Sequence, residues 1–349
     1  MRMGPMGDVE FGTTAANGVA GLLSLRTVIF KGGGCPCRDS RPPAAIVDAN
    51  SSIDRGLGWM ADNPQPPGGN ARGILRAEWA FFWSRCGVLS GYRDFGGQPW
   101  YRQLASSLIR QQENGSWGDT VRTGLSLAGL ATGREPILLN KLRLDGQFWN
   151  AHPDDAAQMV AHVASKKRER MRWQVVDLGL KVEELHEAPI LYLCAGQAVT
   201  LSDEHKKKLR EFTDTGGTIL LEASCADKDV LSSLQKLCAD TWPEWPVADL
   251  PHEHDLFRAD QRIGVRHPMM SGVDDGLRAC VLLSKADLSC PWTMGDSRRN
   301  FEVFRLAQNL YAYTTDRTRL WGRWQTPPEP DDRYTSQELK CGQKDVINI

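Results

Sequence analysis

The sequence predicts an α/β fold: a mostly parallel sheet with helices on both faces, preceded by an all-α segment. Three observations carry this. From Glu135 onward, short apolar runs alternate with amphipathic helical patterns, as in a parallel sheet covered on both sides. The runs themselves, such as PILLNKL at 136–142 and TILLEA at 218–223, are nearly continuous rather than alternating. That is the pattern of strands buried on both faces. Before Glu135 the apolar residues recur at helical spacing instead.

Residues 1–44 show little organisation; their last part, KGGGCPCRDSRPP, reads as loop. A first helix is expected near 45–60, ended by the breaker segment DNPQPPG at 63–69. A second runs from Ala71 to Ser90, with Ile74, Leu75, Trp79, Phe82 and Val88 at helical spacing and Gly91 as its stop. Pro99 opens a third, through Gln112, with Leu104, Leu108 and Ile109 facing inward. A fourth spans Thr120 to Ala131, with Leu125, Ala128 and Leu130 inward and Gly133 beyond its end. These residues, 45–134, form the expected helical segment.

The α/β domain is expected over 135–316. Its first strand is 136–142. NAHPDD at 150–155 then signals a helix start, and Ala156, Met159, Val160 and Val163 share one face. Strands follow at 173–178 and 189–194, separated by a short helix at 182–186. Ser202 is an N-cap with acids in the first turn, and Gly216 and Gly217 separate that helix from the strand at 218–223. A helix at 227–239, a loop over 241–270, a strand at 278–284 and a helix at 299–313 complete the domain. Residues 317–349 read as a flexible tail.

A net charge of −1 supplies no global field for nucleic acid or an anionic membrane. The basic cluster Lys166, Lys167, Arg168, Arg170 and Arg172 falls where a helix ends, which suits the helix dipole. Nine scattered cysteines do not resemble a small disulfide scaffold, so mostly reduced thiols are expected. No apolar run is long enough to span a membrane, and no signal-peptide pattern is visible at the N-terminus; the default compartment is cytoplasmic.

Two stretches resemble known families. QQENGSWG at 111–118, with the preceding WYRQLASSLIR, resembles the QW motif of terpenoid cyclases and prenyltransferase-type α/α barrels, where it ties neighbouring helices together. The likeness covers about 45–133, a piece of an α/α toroid, and lacks the DxDD acid motif that cyclisation needs. The second is more specific. PILLNKLRLDGQFWN, WQVVDLGL, APILYLCAGQAVTLSDEHKKKLREFTDTGGTILLEASC and KADLSCPW resemble the bacterial domain-of-unknown-function family 4159. That family is similar to the class I glutamine amidotransferase-like superfamily, which implies a flavodoxin-like sheet. It implies no established activity, and it makes the cell envelope an alternative compartment. Its members often carry a His after the third strand in a Gly-His pair; here Gly196 is followed by Gln197.

Sites in open α/β sheets lie at the carboxyl ends of the strands. Asn140, Lys141, Asp177, Cys194, Gly196, Gln197, Glu222 and Ser224 are expected there, lining a crevice that takes an unknown small molecule or a protein. A cysteine hydrolase needs a thiolate on a tight elbow and an activating His. Cys225 follows a strand and precedes a helix, with His254 and His267 as candidate bases, but the elbow glycines are absent. HEHD at 252–255 lacks a third metal ligand, and Cys35 and Cys37 lack a second pair, so no metal is expected. Neither GxGxxG nor GxxxxGK[ST] occurs, so no cofactor is expected either. Trp149 and Trp292 are candidates for the crevice rim. The reading leans away from catalysis, toward a binding module with a helical appendage. The alternatives are a cysteine-dependent hydrolase or transferase and a degenerate cyclase-like protein.

Overall fold

The computed structural model describes residues 16–24, 44–63, 74–264 and 269–316. The helices α1 (Ala44–Asp62), α2 (Ile74–Ser90), α3 (Trp100–Gln111) and α4 (Thr120–Ala131) come first, with a two-strand hairpin, β1 (Asp94–Phe95) and β2 (Gln98–Pro99), between α2 and α3. Residues 16–24 are helical as well, and Ala16, Val19 and Leu23 are buried with Ile53, Met60, Trp79 and Trp83. These residues lie within the 1–44 segment, and larger helices cover their apolar side chains.

The α/β part contains β3 (Ile137–Leu142), α5 (Asp155–Lys167), β4 (Arg172–Val176), α6 (Val182–Leu185), β5 (Ile190–Ala195), α7 (Asp203–Asp214), β6 (Thr218–Ala223) and α8 (Lys228–Thr241). It continues with β7 (Val247–Asp249), β8 (Met270–Asp274), β9 (Ala279–Ser284), α9 (Ser289–Met294) and α10 (Phe301–Thr314). The strands form one sheet in the order β4-β3-β5-β6-β9-β8-β7. The first five are parallel, and β8 is antiparallel to β9. In chain order the parallel strands read 2-1-3-4-5, the arrangement of a flavodoxin-like fold, whose switch point lies between the first and third strands.

Strand alternation decides the two faces. Leu139, Tyr192, Leu220 and Leu282 pack with α5 and α10, while Leu142, Leu191, Leu193, Ile219 and Val281 pack against α7 and α8. Helices therefore cover both sides, as the continuous apolar runs require. Ser202 and Asp227 cap α7 and α8 by accepting backbone N–H groups.

Two elements depart from expectation. The loop expected over 241–270 contains β7 and leads into β8, so the sheet gains an antiparallel pair. The signal was the Asp275–Gly276 turn, with Gly276 at φ 89°, which returns β8 into β9. The six-residue α9 was also unforeseen, because Pro291 sits inside a short polar-flanked segment.

The helical part is tied to the edge of the sheet. Val175 donates to the Gly91 carbonyl at 2.6 Å, and Tyr92 pairs with Val175 in a parallel bridge beside β4. That covers edge groups otherwise open to foreign strands. Gly91 has φ 74°, and any Cβ there would sit 2.5 Å from the Trp173 ring, so a side chain is excluded twice over. Arg93, its side chain 7% exposed, reaches Glu184 at 2.7 Å and Glu187 at 3.2 Å from the α/β part. Removing the buried guanidinium leaves two partly buried carboxylates without their cation. Replacing Arg93 with Ala is therefore expected to lower stability by about 3 kcal/mol in urea denaturation; a loss under about 1 kcal/mol, the range of surface pairs, would contradict the tie.

Candidate functional site

The carboxyl ends of β3, β5 and β6 meet in a buried polar chain. Lys141, near the end of β3, is fully buried. Its Nζ donates to Asp155 Oδ1 at 2.6 Å, to the His152 carbonyl at 2.7 Å and to Asn150 Oδ1 at 2.9 Å. Three protons meet three acceptors, so the ammonium is fully satisfied. The loop between β3 and α5 supplies two of these acceptors, and the first residue of α5 supplies the third. Asp155 begins α5, where the positive end of the helix dipole also favours a carboxylate.

Lys141 is aligned with Tyr192 on β5, Cys194 with Glu222 on β6, and Glu222 with Ser284 on β9. These side chains point to the same face. Tyr192 Oη lies 3.1 Å from Asp155 Oδ2 and 2.8 Å from Glu222 Oε2. The other Glu222 oxygen accepts the backbone N–H groups of Leu288 and Ser289, each at 2.8 Å. Those residues lead into α9, whose fully buried Trp292 stands edge-on to Tyr192. The chain therefore runs Lys141–Asp155–Tyr192–Glu222–α9.

A tyrosine has one hydroxyl proton, yet two carboxyl oxygens face this one. Only one can accept it; the other contact requires a protonated carboxyl. Glu222 is that acid. Burial, with the Asp287 charge adding to it, pushes its pKa up to about 8 against the N–H donors that pull it down. Burial likewise raises Tyr192 and Cys194 well above their ordinary values, and burial lowers the His152 imidazole. One cation, one carboxylate and one neutral acid make a balanced buried group.

Of the expected crevice residues, the structure brings Lys141, Cys194 and Glu222 together, but in a sealed interior rather than an open cleft. Asn140 points to the other face, where its amide donates to the Leu185 carbonyl and accepts from Gln174. Asp177 accepts from Arg143 at 2.9 Å and from the Gly179 N–H at 2.8 Å. Gly196 and Gln197 stay at the surface. Gly196 donates to the Phe148 carbonyl at 2.7 Å, and a Cβ there would meet the Phe148 ring at 2.3 Å. Ser224 is nearly buried beside Cys225. Trp292 is core, not rim, whereas the half-buried Trp149 lies over Lys141 at 5.9 Å.

Cys225 and Cys290 are both disulfide-bonded, whereas Cys86, Cys194, Cys238 and Cys280 are free and buried. The expectation of reduced thiols is corrected at those two positions, and a disulfide sulfur is not a thiolate nucleophile. His254 does not approach Cys225 either. Its Nδ1 accepts from Leu256 N and its ring packs on Tyr313. The Tyr313 hydroxyl accepts from Ala279 N at the start of β9. Cys225 lies beyond the far end of the parallel β6, a strand length of roughly 16 Å away. His267 lies outside the described residues. Among the described residues no group of three or more His, Cys, Asp or Glu side chains is placed to hold a metal, and no helix is long and apolar enough to cross a membrane.

The family described as a domain of unknown function (DUF4159) matches residues 138–315, just over half of the chain. The chain belongs to this family. The match opens at β3 and closes after α10, so the whole polar chain lies inside the DUF4159 domain. No curated protein matches the chain.

Sequence reasoning missed Tyr192 and Ser289, and read His152, Asp154 and Asp155 only as a helix start. The available signal was Lys141 itself: a lysine inside an apolar central strand must find a carboxylate when it is buried. Two outcomes check the network. Replacing Lys141 with Met strands the Asp155 charge and should cost about 3–5 kcal/mol, while Lys141→Met with Asp155→Leu should recover part of the loss in the same urea titration. Glu222 has a folded pKa of about 8 against an ordinary 4.5. Between those values the folded state holds a proton that the unfolded state releases, so this group's contribution falls as pH rises from 4.5 to 8 and is flat above. Glu222→Gln should flatten the decline between pH 5 and 8; an unchanged slope would mean that Glu222 is ionised when folded.

Proposed function

We propose that the DUF4159 domain of this chain is a non-catalytic module that binds a small molecule or a protein at the rim of its strand ends. In this reading it has an amidotransferase-like layout without the amidotransferase chemistry. One observation carries the reading. The polar groups that a catalyst would turn toward a substrate are consumed by one another beneath α9, and the candidate nucleophile is oxidised. The exposed rim is built from Gln147, Phe148 and the Gly196–Thr200 turn. Phe148 is 56% exposed, and Gln147 exchanges hydrogen bonds with the Thr200 backbone. The helical residues 45–134 act as a scaffold on the β4 edge, and the cyclase-like stretch supplies a helix-tying turn rather than a reaction chamber.

The cysteine-hydrolase alternative is what the experiment must separate. Native protein is treated with iodoacetamide and with a glutamine-analogue electrophile, without reductant, and the peptides are mapped by mass spectrometry. Cys225 should remain unmodified by both, and amide hydrolysis should stay at the rate of the buffer. Labelling of Cys225 by the glutamine analogue, with hydrolysis lost in Cys225→Ser, would replace the binding reading with the catalytic one.

A further inference from the structure

We infer that the hollow behind the QW-like turn, where α2, α3 and α4 meet, binds one neutral polyhydroxylated ring such as a sugar residue. Ala77, Leu108, Gln111, Trp117, Arg122 and Ser126 border this hollow of about 230 Å³. That is below the roughly 300–1,000 Å³ of sites for drug-sized ligands, and it suits a single small ring.

Ser126 is the observation that points to a ligand. It is 1% exposed on the inner side of α4, yet its hydroxyl finds no hydrogen-bond partner among the described residues. A serine within a helix ordinarily bonds its own preceding turn or turns to solvent, and an unpaired buried hydroxyl is unfavourable. A ligand hydroxyl in the hollow relieves it.

Charge selects the class. Arg122 also borders the hollow, but Asp119 already balances its guanidinium at 3.3 Å, and Glu113 adds a negative charge beside it. The two charged groups that border the hollow, Arg122 and Glu113, are of opposite sign, so an incoming anion meets Glu113 and an incoming cation meets Arg122. A neutral ligand avoids both. The rest of the wall is two-natured. Trp117 is fixed, with its indole N–H donating to the Leu108 carbonyl at 2.8 Å and its backbone N–H to Thr123 Oγ1 at 3.1 Å. With Leu108 and Ala77 it offers apolar surface. Gln111 donates to Ser107 at 2.8 Å, which leaves its carbonyl oxygen to accept. A sugar ring matches this wall, with carbon–hydrogen faces for the indole and hydroxyls for Ser126, Gln111 and Arg122. This inference is independent of the rim proposed for the DUF4159 domain.

The test is saturation-transfer NMR on the full chain with D-glucose, N-acetylglucosamine and myo-inositol at about 10 mM, tenfold above a millimolar dissociation constant. Sodium acetate and tetramethylammonium serve as charged controls. At least one neutral ring should bind. Ser126→Ala should weaken it about fivefold to tenfold, the worth of one hydrogen bond, with unchanged far-ultraviolet circular dichroism. Ser126→Leu, which fills the hollow, should abolish it. No transfer to any neutral ring overturns the inference. So does binding that both Ser126 variants leave intact, or a preference for acetate or tetramethylammonium over every neutral ring.

Discussion

The contact between Lys141 and Asp155 constrains the α/β part more than any other. An ammonium inside a two-sided sheet is tolerated only with every proton satisfied. That requirement shapes the segment from Asn150 to Asp155, which supplies a side-chain amide, a backbone carbonyl and a carboxylate within about 17–18 Å of chain, at 3.3–3.6 Å per residue. It also sets where α5 begins, because its first residue carries the carboxylate. Tyr192 extends the constraint across β5, and Glu222 carries it through β6 to the N-terminal residues of α9. One buried cation thereby coordinates three strands and two helices at the switch point, where open sheets usually leave room for a ligand.

Most of the architecture was legible because the relevant signals are local. Continuous runs such as TILLEA mark strands buried on both sides, and β6 begins and ends where that run does. Caps at Ser202 and Asp227 mark helix starts for equally local reasons. Legibility fails where the deciding partner is distant in the chain. Glu222 reads as an exposed strand-end acid until Leu288 and Ser289, more than sixty residues on, present two N–H groups to it. His254 reads as a base near Cys225 until the Tyr313 and Ala279 contacts put it at the other end of the sheet. Helical periodicity also misled at α3 and α4. Ile109, expected inward, is 66% exposed, and Ala128, expected inward on α4, is exposed while Ser126 and Gly129 are buried. Small residues let α4 lie close along α2, and close approach outweighed hydrophobicity in setting its face.

Burial alone does not sort the described cysteines, because Cys290 is buried and oxidised while four other buried cysteines are free. Cys86, Cys194, Cys238 and Cys280 are buried thiols whose ionisation burial suppresses, with Cys86 and Cys238 pushed up to about 12. Such groups behave as small apolar side chains and are slow to exchange. Cys225 is different: it is exposed, in a left-handed conformation at φ 56°, followed by Ala226 at φ 53°. Two adjacent non-glycine residues in that region cost of order 1–3 kcal/mol each and persist only where surrounding contacts impose them. Here the strain sits on the turn that joins β6 to α8, packed against α9, and both segments carry an oxidised cysteine.

That placement bears on why the strand ends are closed. A catalytic elbow uses its strain to lift a nucleophile toward a substrate, beside donors aimed at the developing charge. In this chain the donors at the equivalent level, Leu288 N and Ser289 N, are already bound to Glu222, and the strained residue holds a disulfide sulfur. At this end of β6 the strained residue holds a disulfide sulfur and the backbone donors hold Glu222, so both are engaged within the protein. Strain and donors together close α9 over the sheet. The Lys141–Asp155 pair beneath it remains dry, and that dryness makes the pairing obligatory.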